Sequence, residues 1–163
     1  MSQQLWLLRH GEAVPHASKA DAERELTARG EHQAGAAGAA LARLGLEFAA
    51  CYTSPKVRAR DTARLACDVL NVKTVEMPVL AADFDADAAL ELLLAHGPED
   101  KVLAVGHEPD LSRVVHDLTG ARADVKKGGL AAIGVQRGMG TLVLLLRPRE
   151  LEAIAAGGEP PAR

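Results

Sequence analysis

Leu5, Trp6, Leu7 and Leu8 form an unbroken apolar run that stops abruptly at Arg9, His10 and Gly11. A run this short, without polar alternation, predicts a strand buried on both faces, as in a parallel sheet. Ligand sites of open α/β sheets lie just beyond the carboxyl ends of such strands, which is where Arg9 and His10 fall. Gly11 lets the backbone turn or approach a ligand without a side chain in the way. Three residues recur by chance, however. Taken alone they fit equally well a strand end carrying a solvated arginine and a surface histidine.

The rest of the chain supplies the context. A loop over residues 13–25 contains Pro15 and His16, the latter read as a solvated histidine. Thr27 is a fair N-cap for a helix whose buried face is Ala34, Ala37, Leu41 and Leu44, with Gly45 ending it. Gly35 and Gly38 each cost about 1 kcal/mol relative to alanine inside a helix, for which close approach to the sheet would compensate. Residues 48–53 read as a second strand, broken by Ser54-Pro55. The helix from about Lys56 to Leu70 turns Ala59, Ala63, Ala66 and Leu70 inward. It carries Arg58 in its first turn and sends Arg60 and Arg64 to solvent or to Asp61 and Asp68.

Residues 72–77 suggest a short strand, 82–85 an acidic loop, and 86–96 a helix with Leu90, Leu93 and Leu94 inward. Residues 101–105 followed by Gly106-His107 repeat the opening pattern of apolar strand, glycine and histidine. A helix to about Leu118 follows, with Pro109 suited to its first turn. After a basic turn at 126–129, residues 130–136 and 141–146 read as a hairpin joined through Gly138-Met139-Gly140. A short helix is expected over 148–156 and a loose tail over 157–163. Strands alternating with helices argue an α/β fold: one domain over residues 1–156, a three-layer α/β/α sandwich with a mostly parallel central sheet.

Composition narrows the function classes. Aromatics make up 2% of the 163 residues, so the core must be built from Ala, Leu and Val. A formal charge of −3 gives no global drive toward nucleic acid or an anionic membrane. Any anion site must then be a local cluster of cations. No signal-peptide pattern or membrane-spanning run is visible, which suits a cytoplasmic protein. Cys51 and Cys67 sit in apolar surroundings and read as buried thiols, not as a disulfide or metal ligands.

Three predicted strand ends therefore present Arg9 with His10, Arg58, and His107. In a parallel sheet these ends point the same way, so the four side chains can converge. Arginine forks bind phosphoryl oxygens in bidentate fashion. A neutral imidazole has a free lone pair and can be a nucleophile, while a second can donate to a phosphoryl oxygen. The amino ends of the helices after Ser54 and Glu108 would add dipoles that favour an anion.

With these residues in hand, the chain resembles the histidine phosphatase superfamily, also called phosphoglycerate mutase-like. Arg9-His10-Gly11 is similar to its signature motif. Residues 52–63, Tyr-Thr-Ser-Pro-Lys-Val-Arg-Ala-Arg-Asp-Thr-Ala, are similar to the motif carrying its second arginine. Gly106-His107 is similar to its late histidine. The likeness is greatest to short SixA-type phosphohistidine phosphatases, through residues 7–13, 26–30 and 105–109, and it runs from Leu5 to about Leu146.

The resemblance implies that His10 attacks phosphorus, that Arg9, Arg58 and His107 bind the phosphoryl oxygens, and that water hydrolyses the phosphoenzyme. It implies no metal and no cofactor, because the arginines supply the positive charge. The expected substrate is a phosphohistidine on a phosphoprotein or, alternatively, a small phosphorylated metabolite such as a sugar phosphate or phosphoglycerate. A non-catalytic phosphate-binding module is the third reading, disfavoured by an intact His10. A dinucleotide-binding domain is discounted because no G-x-G-x-x-G turn follows the first strand. No nucleic-acid or membrane partner is expected.

A general acid is left open among Glu108, Asp83 and Asp85, with Glu12 a weaker candidate. No long insertion is present to cover the pocket, which suits a protruding protein side chain. The two histidines should differ. A backbone carbonyl would hold His10 in its nucleophilic tautomer, and bound phosphate would favour a proton on His107.

Overall fold

A computed structural model describes residues 2–157. The end of the chain beyond Gly157, expected to be a tail, lies outside the described residues. The apolar run forms strand β1 (Gln3–Arg9). It is followed by helix α1 (Ala28–Arg43), β2 (Ala50–Thr53), α2 (Val57–Leu70), β3 (Thr74–Glu76), α3 (Ala86–Leu94), β4 (Lys101–Gly106), α4 (Asp110–Thr119), β5 (Leu130–Gln136), β6 (Met139–Leu146) and α5 (Pro148–Ala156). The six strands form one sheet in the order β3-β2-β4-β1-β5-β6.

The first four strands in that order pair in parallel, whereas β5 pairs antiparallel with both β1 and β6. The sheet is therefore mixed. The hairpin accounts for this: β5 is entered from an irregular segment, not from a crossover helix, so nothing forces it to run parallel. The hairpin turn falls at Arg137-Gly138, both at positive φ (52° and 74°), one step earlier than the sequence suggested.

β1 is buried on both faces, as its apolar run predicts. Leu5 and Leu7 point to one side, with Val102, Ala104, Leu111, Val114 and Leu93. Trp6 and Leu8 point to the other, with Ala37, Leu41, Ala59, Ala63, Leu103 and Leu151. So α3 and α4 cover one face while α1, α2 and α5 cover the other, giving three layers. The second face is rich in alanine, and its helices come close. A Cβ on Gly38 would meet the carbonyl oxygen of Ala66 at 2.5 Å. The glycine thus serves approach between α1 and α2, not approach to the sheet; Gly35 touches nothing. Cys51 and Cys67 lie in this face as free, buried thiols.

Some expected details shift. Leu44 is exposed because it caps α1 beyond the sheet, and Leu94 is exposed because the buried stripe of α3 is Ala89, Leu92 and Leu93. β2 starts at Ala50 and α4 at Asp110, with Pro109 at its cap. Thr27 caps α1 as expected, its hydroxyl accepting from the Gly30 N–H at 3.1 Å.

This topology places a crevice at the carboxyl ends of β1 and β4, which are neighbours in parallel register with Arg9 opposite Gly106. After β1 the chain leaves for the α1 face, and after β4 for the α4 face. Such a divergence is the switch point at which open α/β sheets bind ligands.

Candidate active site

Arg9, His10, Arg58 and His107 all line one cleft of about 160 Å³ at that switch point. The sequence expected these four to meet, and the fold brings them together. The backbone around them is closely tied. The N–H of His10 donates to the Gly106 carbonyl at 3.2 Å, the N–H of Ser54 to Val105 at 3.0 Å, and the N–H of Gly128 to His10 at 3.0 Å. Three strand ends and the 126–129 turn are therefore locked to one another.

Gly11 is required here by space. A Cβ on it would lie 2.5 Å from the Gly30 carbonyl oxygen, and one on Gly30 would lie 2.0 Å from that of Glu12. The segment after β1 thus packs backbone to backbone on the first turn of α1. Thr62 adds a link from the other side. Its hydroxyl accepts from the Gly11 N–H at 3.0 Å and donates to the Arg58 carbonyl at 2.7 Å.

The two histidines face each other with ring centroids 5.2 Å apart, yet they are anchored differently. Nδ1–H of His10 donates to the carbonyl of Gly11 at 2.7 Å, the backbone partner the sequence argument called for. That bond fixes the tautomer and leaves the lone pair on Nε2. His107 is held through Nε2, 2.8 Å from the Ser54 hydroxyl. When that hydroxyl donates to Nε2, Nδ1 carries the ring proton.

Burial, and then the positive charge of Arg58 and Arg9, pushes His10 down to about 3 against the opposing Gly11 hydrogen bond. Burial, with His10 and Arg58 beside it, pushes His107 down to about 3 as well. Both rings are therefore neutral at pH 7 in the free site. The expected difference in protonation, a proton on His107 alone, belongs to the phosphate-bound site, where an anion beside the ring would raise its pKa. A neutral His107 still offers one N–H.

The arginines are each half committed. Arg9 Nη1 donates to the Val125 carbonyl at 3.0 Å, and Arg58 Nη1 donates to the Asp21 carbonyl at 2.7 Å. Among the described residues, the buried side-chain polar atoms without a protein partner are Arg9 Nε, Arg58 Nε and His107 Nδ1. Leaving such a group unpaired costs about 1–3 kcal/mol, and here all three belong to the same cleft. An oxyanion is the ligand that would use them.

Sequence reading missed several contributors. Arg24, buried, and Lys127 also line the cleft. Ser54 orients His107, and Asp21 bridges Lys56 and Arg58. Residues 13–25 show no periodicity, so only long-range contacts could reveal Arg24 and Asp21. His16 is solvated as expected but stands at the cleft rim.

Of the acid candidates, only Glu108 lines the cleft. Its carboxylate is occupied with the first turn of α4, accepting from the Ser112 N–H at 2.8 Å and from the Ser112 hydroxyl. Asp85 caps α3 through the Ala88 N–H at 2.9 Å, Asp83 lies in the adjacent loop, and Glu12 accepts from Thr27. No group of three or more His, Cys, Asp or Glu placed to hold a metal ion occurs among the described residues. No helix among them is long and apolar enough to cross a membrane.

Known proteins share this architecture. The profile of the histidine phosphatase superfamily, branch 1, matches residues 5–84. An uncharacterized protein of Picosynechococcus sp. strain PCC 7002 is 35% identical over 143 residues, covering 83% of this chain and 86% of that protein. The structure of the protein histidine phosphatase SixA complexed with tungstate superposes with a TM-score of 0.81 at 26% identity, over 91% of this chain and 99% of that one. A phosphoserine phosphatase from Entamoeba histolytica, solved with phosphoserine, gives 0.75 at 15% identity over 91% and 99%, a likeness of fold. Motifs, topology and relatives agree, and the chain belongs to the histidine phosphatase superfamily.

Proposed function

We propose that this protein is a cytoplasmic, metal-independent phosphatase, working as a single domain over residues 1–156, that hydrolyses phosphohistidine on a phosphoprotein through a phosphorylated His10. The observation that carries the reading is the Nδ1–H bond of His10 to the Gly11 carbonyl. A ring so held presents Nε2 as a nucleophile at any pH well above 3.

In the first step the Nε2 lone pair forms a bond to phosphorus while the bond from phosphorus to the substrate nitrogen breaks. The substrate ring, protonated beforehand, departs as neutral imidazole. Arg9 and Arg58 neutralise the phosphoryl oxygens, and His107 donates its N–H to one of them. In the second step a water oxygen attacks phosphorus, the bond to Nε2 breaks, and the electron pair returns to His10. The water proton passes to solvent.

Two features favour phosphohistidine over an alkyl phosphate. An alkoxide leaving group needs a proton from an acid, and the one carboxylate in the cleft, Glu108, is bound to Ser112. A protonated imidazole needs none. The cleft, at about 160 Å³, is also smaller than the roughly 300–1,000 Å³ that encloses a typical small ligand. It suits a phosphoryl group carried on a protruding side chain.

The test is a substrate panel of phosphohistidine protein, phosphoramidate, phosphoserine and phosphoglycerate, each with and without EDTA. The N-phosphoryl substrates should exceed the alkyl phosphates in kcat/KM by about 10²-fold or more, with no effect of chelator. Preference for an alkyl phosphate, or loss of activity in EDTA restored by a divalent ion, would refute the reading.

A further inference from the structure

At the mouth of the cleft the cations meet an anion of the chain itself. Asp21 opens a 3-10 turn over Asp21–Glu23 in the segment between β1 and α1. Its carboxylate lies 3.1 Å from Lys56 Nζ, 3.3 Å from Arg58 Nη2 and 3.2 Å from Arg24 Nη2, with His16 Nδ1 at 3.7 Å. Its main-chain carbonyl separately accepts from Arg58 Nη1 at 2.7 Å. One residue therefore does two different things. The carbonyl orients a guanidinium, and the carboxylate offsets part of the positive charge of Arg24, Arg58 and Lys56, the first two of which line the cleft that a phosphate would enter.

We infer that Asp21 is the resident counter-ion of the site, a positioning residue that holds Arg58 and Arg24 at the cleft while limiting how tightly a phosphate dianion is bound. The inference rests on reading the cleft as a phosphoryl site. A phosphatase must release inorganic phosphate, and a cleft with Arg9, Arg24, Arg58 and Lys127 on its walls would retain it without a compensating negative charge. Burial by itself would raise the Asp21 pKa, but the Lys56 hydrogen bond and the charges of Arg58 and Lys56 outweigh it and hold the carboxyl well below its usual range. The charge is thus present at every working pH. Because Asp21 is half exposed, solvent moderates its effect on a ligand.

Counter-ion and plain structural support predict opposite signs. Asp21→Asn keeps the backbone carbonyl and an amide oxygen for the arginines but removes the charge. Asp21→Glu keeps the charge. Calorimetric binding of inorganic phosphate at low ionic strength should be tightened by about 3- to 10-fold in Asp21→Asn. The competitive inhibition constant of phosphate should fall by the same factor, and the gap should close toward 1 M salt. Asp21→Glu should stay within about 2-fold of the parent protein. Equal or weaker phosphate binding by Asp21→Asn would overturn this inference alone. Failure of the parent protein to bind phosphate at all would overturn it together with the phosphoryl reading of the cleft.

Discussion

The ends of β1 and β4 lie side by side, each delivers one histidine to the cleft, and the two imidazoles are held by opposite nitrogens. At the β1 end, Nδ1 of His10 is bound to a backbone carbonyl one residue away, and the next residue, Gly11, is pressed against the first turn of α1. At the β4 end, Nε2 of His107 is bound to a side chain 53 residues distant in sequence, Ser54. Gly106 there has looser neighbours around its missing Cβ, the side chains of Leu111 at 3.4 Å and Leu80 at 3.6 Å and the Leu80 carbonyl oxygen at 3.8 Å. A ring fixed by rigid backbone suits a nucleophile that must hold one tautomer. A ring fixed by a rotatable hydroxyl can exchange proton partners when an anion arrives. Equal burial and equally lowered pKa values do not separate the two; the anchoring atoms do.

The comparison breaks most decisively on covalent chemistry. His10→Ala should lose about 10⁴-fold or more in kcat and all acid-labile phosphoenzyme. His107→Ala should lose about 10²–10³-fold, as for one oxyanion donor, and still label at His10. Mapping of the label by mass spectrometry decides, and label at position 107 in the parent protein would reverse the roles.

The glycines test the same contrast in stability. Gly11→Ala forces backbone against backbone and should destabilise by about 1–3 kcal/mol. Gly106→Ala, whose Cβ meets nothing closer than 3.4 Å, should stay within about 1 kcal/mol. Denaturant unfolding measures both, and equal losses would remove the asymmetry.

Acid should act on both ends together. Each ring takes a proton at 6.5 in the unfolded chain but only at about 3 in the fold. The unfolded state therefore binds more protons between those values. The stability this provides is complete above pH 6.5 and is lost as the pH falls toward 3, at about 1 kcal/mol per pH unit for each ring. In His10→Ala and in His107→Ala this slope should be shallower.

The smallest effect belongs to the rotatable anchor. Ser54→Ala removes one hydrogen bond to His107, about 1 kcal/mol, and should lower kcat about 5-fold without shifting the label from His10.

Much of this arrangement was legible in the sequence because short-range patterns encode it. Leu5 to Leu8 specify a strand buried on both faces, and the repeat of that pattern before Gly106-His107 specifies its neighbour. Arg58 follows from a strand broken by Ser54-Pro55. The exact helix faces were less legible. Leu44 and Leu94 look apolar and inward, but helix ends overhang the sheet, and periodicity carries no information about where cover stops. The hairpin already implied one antiparallel pair, but that β5 also runs antiparallel to β1 was hidden, because residues 120–129 give no sign of the direction in which the chain re-enters. Asp21 and Arg24 were invisible for a different reason. The contact of Asp21 with Arg58 spans 37 residues, and an aperiodic loop does not announce such a partner.

The alanine-rich face that carries α2, and with it Arg58, also holds both cysteines of the chain, each with almost no accessible surface. Neighbouring Cys67 and burial push the Cys51 thiol far above its ordinary range, so its nucleophilic thiolate is suppressed in the folded state. The pair amounts to a gauge already installed beneath the cleft. Under native conditions, uptake of an alkylating reagent would report opening of this face, without a dye or a substitution and without touching a residue of the chemistry.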